Sequence, residues 1–152
     1  MKRLILFCVL CGLSFGLLAK DLTPRQLALR GNIEAFLRNE GFVPEIDSDG
    51  DIAFKKEGVK YFVMISDSDE DPFYVILTNV MLYDEVFSKE VVVKAMNEMN
   101  LYKGVKLLCA DRTFEMRSKQ YLTKPEQFTS VFDKIMRQLN SMRKELISIC
   151  LQ

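Results

Sequence analysis

Three aspartates at alternate positions come closest to a metal site in this sequence. Asp47, Asp49 and Asp51 stand at positions 1, 3 and 5 of a loop, as the carboxylates of a calcium-binding EF-hand loop do. That loop also requires glycine at position 6 and a bidentate glutamate at position 12, where this chain has Ile52 and Gly58. The spacing therefore favours an Asp-Gly turn that leads into a strand, with a calcium site as the weaker alternative.

The rest of the chain offers little catalytic chemistry. It has no histidine, which removes the usual general base near neutral pH, the commonest metal ligand and every Ser-His or Cys-His pair. No glycine-rich phosphate loop is present. The acidic run 67–71, which ends before Pro72, favours a solvated loop over a cation site. We therefore predict a protein that is not an enzyme, with no catalytic, cofactor-binding or metal-binding residues and no cofactor.

The N-terminus has the pattern of an export signal. Residues 1–3 are short and basic, residues 4–18 are uncharged and mostly apolar, and Gly16 and Ala19 each mark a cleavage position. We predict a removable signal peptide over residues 1–19, followed by a single domain over residues 20–152 in the periplasm or secreted. A membrane anchor is the alternative, but a spanning helix needs about 20 apolar residues and this run is shorter. Contact with the membrane is then expected only transiently, through the signal segment.

The four cysteines fall into two pairs. Cys8 and Cys11 form a C-x-x-C motif inside the apolar run, which lacks the electropositive, partly exposed setting that redox-active thiolates need. Cys109 and Cys150 belong to the predicted domain, and two such thiols can pair in an oxidising compartment. The sequence leaves this pairing open, because it depends on the distance between a strand end and the C-terminus.

The hydrophobic period changes along the predicted domain and defines its elements. The prediction is a helix over 24–40, strands over 51–56, 59–66 and 73–80, a helix over 88–101, strands over 105–110 and 113–120, and a helix over 123–150. Thr23, Pro24 and Gln26 indicate a capping box at the first helix, and Gly41 is a plausible cap at its end. Glu57-Gly58 indicates a tight hairpin, and strand 73–80 is apolar enough to be buried on both faces.

The last helix carries the strongest pattern. Thr123 and Glu126 indicate a capping box, with Pro125 in the first turn. An apolar stripe follows at Phe128, Phe132, Ile135, Leu139, Met142, Leu146 and Ile149, and it is widened by Val131, Met136, Ile147 and Cys150. A wide stripe favours packing on a sheet, whereas a narrow seam would favour a second copy of the helix. We therefore predict sheet packing, with a homodimer as the alternative.

Composition and charge narrow the class further. The 152 residues are 49% hydrophobic and 28% charged, which is typical of one globular domain. The net charge is zero, which gives no basis for nucleic-acid binding. Residues 20–100 hold 9 basic and 16 acidic residues, whereas residues 101–152 hold 10 and 5. This asymmetry favours attraction within the fold, with an antiparallel dimer or an oppositely charged partner as alternatives.

The order α-β-β-β-α-β-β-α predicts an α+β fold in which an antiparallel sheet packs against helices. The chain resembles the YbjN family, described as bacterial sensory-transduction regulators, through residues 36–42, 49–54, 57–61 and 95–100. The likeness extends over residues 24–149 and implies a fold similar to type III secretion chaperones. It brings no catalytic residues.

These observations lead to three hypotheses. The first is an exported, non-catalytic module that binds a protein or peptide on a sheet or helix face. The second is a protein that binds a small apolar ligand in a pocket between the sheet and the last helix. The third is a hydrolase that uses two convergent carboxylates, which would require a deep pocket. The sequence does not identify the partner, the oligomeric state or the biological process.

Overall fold

The computed structural model describes residues 22–66, 68, 71–84, 87–99 and 104–152. The predicted signal peptide, Cys8 and Cys11 lie outside the described residues, as do Asp67, Asp69 and Glu70 of the acidic run. Within the described ranges the elements are α1 (Pro24–Asn39), β1 (Glu45–Ile46), β2 (Ile52–Lys56), β3 (Val59–Ile65), β4 (Phe73–Leu82), α2 (Lys89–Glu98), β5 (Lys106–Cys109), β6 (Thr113–Leu122) and α3 (Gln127–Cys150). The predicted α+β class and element order are confirmed, with the short strand β1 as an addition. No helix in these ranges is both long and apolar enough to cross a membrane.

Helix α1 begins and ends as its sequence predicts. The Thr23 hydroxyl accepts a hydrogen bond from the Gln26 amide at 3.3 Å, and the Thr23 amide donates to Gln26 Oε1 at 2.8 Å. This capping box satisfies two backbone N–H groups that have no partner within the helix. Gln26 Nε2 also donates to the Ser66 carbonyl at 2.6 Å, which ties the start of α1 to the end of β3. Gly41 follows the helix at φ +86°, the left-handed conformation of a helix C-terminal cap.

The strands form a six-stranded antiparallel sheet in the order β1-β2-β3-β4-β6-β5. Glu57 and Gly58, at φ +52° and +79°, make the predicted two-residue hairpin between β2 and β3. Both positive φ values are those of a type I′ turn, whose twist matches that of the strands it joins. Strand β4 then pairs with β3 on one side and with β6 on the other.

Strand β4 corrects one prediction. Phe73, Val75 and Leu77 are buried on the side that faces the helices, but Tyr74 and Ile76 on the other side are only half-buried. The prediction that this strand is buried on both faces was therefore wrong. The reason is that the helices share one buried core with a single face of the sheet.

Helix α3 begins differently from the prediction. It starts at Gln127, and Glu126 makes no side-chain capping bond, so the predicted Thr123–Glu126 capping box was wrong. Gln127 Oε1 instead accepts hydrogen bonds from the backbone amides of Thr123 at 2.7 Å and Lys124 at 3.2 Å. The turn around Pro125 places the side chain of Gln127, rather than that of Glu126, within reach of these amides.

The apolar stripe of α3 packs on the sheet, as predicted. Its residues from Phe128 to Leu146 are buried, and Ile149 near the C-terminus is half-buried. Phe132 lies at the centre, with ring centroids 5.2 Å from Phe36 of α1 and 6.0 Å from Phe54 of β2. Tilted and edge-on aromatic pairs at these distances add to the free energy gained by burial. Helix α2 is capped by Ser88 and packs against α3 and β5.

Substitutions at two glycines should change stability in opposite directions. Gly58→Ala should lower the free energy of unfolding by about 1 kcal/mol, because a Cβ is strained at its positive φ. Gly31→Ala, inside α1 with open space around the added carbon, should raise it by about 0.5–1 kcal/mol. Urea denaturation of both variants measures the two changes. A Gly58→Ala variant as stable as the wild type would contradict the assigned turn.

Tyr61 provides a pH-dependent test of the packing between sheet and helix. Its hydroxyl donates to Asn140 of α3 at 2.6 Å. Burial raises the pKa of Tyr61 above 10.0; Arg143 lowers this pKa and Glu57 raises it. The folded state holds the Tyr61 proton more tightly than the unfolded state does. The contribution of this proton to the free energy of unfolding is therefore complete below pH 10.0 and is lost as the pH rises further.

Tyr61→Phe should therefore cost about 1 kcal/mol at neutral pH, through loss of the hydrogen bond. The difference in free energy of unfolding between this variant and the wild type should shrink above pH 10.0, because only the wild type has the Tyr61 hydroxyl that ionises. Urea denaturation across the alkaline range measures this difference. A difference that widens as the pH rises would contradict the raised pKa.

Candidate binding surface on the open face of the sheet

The helices leave one face of the sheet without a cover from any described helix. Strand residues alternate between the two faces, and none of those pointing away from the helices belongs to the buried core cluster. We call this surface the open face. It comprises Glu45, Ala53, Lys55, Lys60, Phe62, Met64, Tyr74, Ile76, Thr78, Val80, Leu82, Lys106, Leu108, Thr113, Glu115, Arg117, Lys119 and Tyr121.

Two tyrosines and a lysine form the most exposed aromatic group of the open face. Tyr74 and Tyr121 are directly opposite on β4 and β6, with their ring centroids 5.9 Å apart. The Lys119 ammonium lies 3.6 Å from the Tyr74 centroid and 4.9 Å from that of Tyr121. Tyr121 is 64% exposed. Since cation–π contacts hold the lysine over the rings, aromatic surface and positive charge are presented together.

A polar group follows on the same face. Arg117 Nη2 lies 2.7 Å from Glu115 Oε1, and the Thr78 hydroxyl donates to the other carboxylate oxygen of Glu115 at 3.1 Å. Thr78 is buried beneath these side chains. The carboxylate therefore has two partners within the sheet, and the guanidinium is fixed in position beside it. This arrangement is typical of a surface that is ordered before it meets a ligand.

The open face is basic although the whole chain is neutral. Its strand positions hold five basic and two acidic side chains: Lys55, Lys60, Lys106, Arg117 and Lys119 against Glu45 and Glu115. In the described part of the chain, no carboxylate lies within 4.0 Å of the Lys60, Lys106 or Lys119 ammonium group. The face therefore carries positive charge that the chain's described carboxylates do not pair.

The aspartates singled out in the sequence serve a turn. Asp47 Oδ1 accepts hydrogen bonds from the backbone amides of Asp49 at 3.0 Å and Asp51 at 2.9 Å. Gly50 has φ +84°, and the turn joins Ile46 to Ile52 in the β1–β2 pair. These contacts agree with the Asp-Gly turn rather than a calcium loop. No group of three or more acidic, cysteine or histidine ligands is found among the described residues.

Two further predicted features are separated from the open face. In the acidic run, Asp71 lies 3.2 Å from Arg25 in an exposed ion pair. Cys109 at the end of β5 and Cys150 at the end of α3 are both free thiols. Burial raises the pKa of Cys150, which disfavours its thiolate.

One cleft among the described residues lies between α1 and the start of α3. It has a volume of about 390 Å³ and is lined by Asn32, Phe36, Phe128 and Thr129, among others. The small-ligand hypothesis placed its pocket between the sheet and α3. Along that boundary Phe54, Phe114 and Leu139 are each at most 2% exposed.

Comparison of the chain with protein-family models, curated proteins and solved structures gives no match. The function is therefore inferred from the geometry of the open face. The open face was not among the predicted features, although the sequence carries a signal for it. Over residues 113–121 polar and charged residues alternate with Phe114, Met116 and Ser118, which lie on the core face.

The open face should be dispensable for folding. Tyr121→Ser and Lys119→Ser should each change the free energy of unfolding by less than about 1 kcal/mol, because both side chains are exposed. Phe132→Ala, in the core, should cost about 3–5 kcal/mol. Urea denaturation of the three variants checks the contrast. Losses at Tyr121 as large as at Phe132 would mean that this face is part of the packed core.

Proposed function

We propose that this protein is a non-catalytic binding module outside the cytoplasm that engages a protein or peptide segment on the open face of its sheet. The observation that carries the proposal is the Tyr74–Lys119–Tyr121 group on a face that no described helix covers. The export pattern of residues 1–19 supports the location. We also propose that the chain is YbjN-like, because it shares the short motifs between residues 36 and 100 with that family.

The composition of the open face suits protein recognition. Tyrosine and arginine are enriched where proteins bind one another, because each combines a large contact area with a polar group. Here Tyr121 and Arg117 lie on one strand, and exposed Leu108 and Val80 lie on either side of Glu115 of the same strand. Exposed aromatic and apolar side chains therefore lie at both ends of a charged stretch of β6, and such a mixture is suited to contact with another protein.

A binding role also agrees with the chemistry of the side chains. The sequence supplies no histidine, and Glu115 is already bonded to Arg117 and Thr78. Both oxygens of this carboxylate are therefore already engaged within the sheet. The open face therefore offers side chains that can contact a partner, rather than a carboxylate that is free to act as a general base.

The proposal is tested by capture from an envelope extract with three forms of the protein. The open-face variant combines Lys119→Glu and Tyr121→Ser, and the matched control is Lys134→Glu, which makes the same change of charge at an exposed position of α3. Wild type and control should retain the same partner at least about tenfold better than the open-face variant, a difference of about 1.4 kcal/mol. Circular dichroism verifies that all three forms are folded.

Equal recovery of the partner by all three forms would contradict the role of the open face. A wild type that enriches no protein would contradict the binding module itself. Size-exclusion chromatography of the same samples tests the homodimer alternative, since a dimer formed through the open face would dissociate in the open-face variant alone.

A further inference from the structure

We infer that the open face binds an extended acidic polypeptide segment that carries carboxylates at alternate residues next to an aromatic or apolar residue. This inference rests on the proposed function and assigns the chemistry of its partner. It follows from the side chains that β6 presents on the open face, in order Glu115, Arg117, Lys119 and Tyr121. We call these four residues the β6 line.

The spacing of the β6 line matches an extended peptide. Alternate residues of a strand lie about 7 Å apart on one face. Lys119 therefore presents one positive charge, and Lys106 presents a second at the next interval, because it lies directly opposite Arg117, whose own charge is paired with Glu115. An extended segment repeats its own side chains at the same interval, so carboxylates at residues i and i+2 meet both cations.

Tyr121, at the aromatic end of the β6 line, determines which kind of peptide side chain binds next to the two acidic ones. Tyr121 follows Lys119 by two residues on the same face and has Tyr74 beside it. A segment with acids at i and i+2 places residue i+4, or i−2 in the opposite chain direction, over this pair. An aromatic or aliphatic side chain there would bury apolar surface against the rings.

Glu115 at the other end favours a polypeptide over a uniform polyanion. A nucleic-acid strand carries a charge on every unit, and an anionic membrane is a plane of negative charge, so either would meet the Glu115 carboxylate. A polypeptide can place a neutral or basic residue at that position, which gives the sequence pattern basic, acidic, acidic, apolar at alternate residues. The β6 line is complementary to this pattern in charge.

A second copy of this chain is a poor occupant of the open face. Two open faces brought together would oppose two surfaces that each hold five basic and two acidic strand side chains. Like charges in an interface are unfavourable. The charge of the open face therefore points to an acidic partner.

The test uses synthetic peptides of about seven residues, long enough to extend along the four alternate positions of the β6 line. The matched peptide has Lys, Asp, Asp and Phe at alternate positions with Ser between them, and it is made in both chain directions. The control peptide has the same composition with the two Asp residues adjacent, so that their carboxylates point to opposite sides. Binding is measured from amide chemical shifts of the isotopically labelled protein.

At least one direction of the matched peptide should bind at least about tenfold more tightly than the control and shift the amides of Lys119 and Tyr121. Lys119→Glu and Lys106→Glu should each weaken this binding, whereas Lys134→Glu should not. The affinity should fall as salt rises from about 0.05 to 0.5 M, because exposed charges are screened. Circular dichroism verifies folding, and the two open-face variants provide independent tests.

Two results would overturn the inference: equal binding of matched and control peptides, or no binding of either. Phosphatidylcholine–phosphatidylglycerol vesicles and an oligothymidylate are tested in parallel. If either binds the wild type but not Lys119→Glu while the peptides do not bind, the occupant is a lipid surface or a nucleic acid. If the peptides fail but the envelope capture depends on the open face, the proposed function stands and only the assigned chemistry is wrong.

Discussion

The apolar stripe of α3 has to be covered, and one face of the sheet covers it. Phe132 contacts Phe36 of α1, Phe54 of β2 and Phe42 of the segment between them, with ring centroids 5.2 to 6.0 Å apart. This aromatic cluster joins the first and last helices to the edge of the sheet. Since α1 and α2 also bury their apolar residues in the same core, the described helices gather on one face. The exposure of the other face is therefore a consequence of how the core is built.

Local signals made much of this fold predictable. The Thr23–Gln26 capping box and the Glu57-Gly58 turn each depend on residues a few positions apart, so the sequence contains the whole interaction. The Thr123–Glu126 capping box failed for a local reason, since Gln127 takes that role, whereas two other differences have tertiary causes. Strand β1 has only two residues and exists through its pairing with β2. The half-buried side of β4 is decided by helices that are distant in sequence.

The open face was predictable only in part. The alternation over residues 113–121 indicates a strand with one polar side, but it does not say what lies beside that side. Strand β6 pairs with β4, which precedes it by a helix and another strand, and this pairing places Tyr74 opposite Tyr121. Lys106 comes opposite Arg117 through the separate β5–β6 pair. Sequence patterns of single strands do not contain such register.

For the acidic segment that we propose as partner, the energetics of the open face favour selectivity over high affinity. An exposed ion pair contributes about 0–1 kcal/mol, so the cations of the β6 line supply little free energy individually. An aromatic side chain packed on Tyr121 would add about 0.5–1.5 kcal/mol beyond its buried area. Lys119 is already held over two rings and Arg117 beside Glu115, which reduces the conformational entropy lost on binding. Charge order then discriminates between partners, because an acid opposite Glu115 is repelled while an acid opposite Lys119 is attracted.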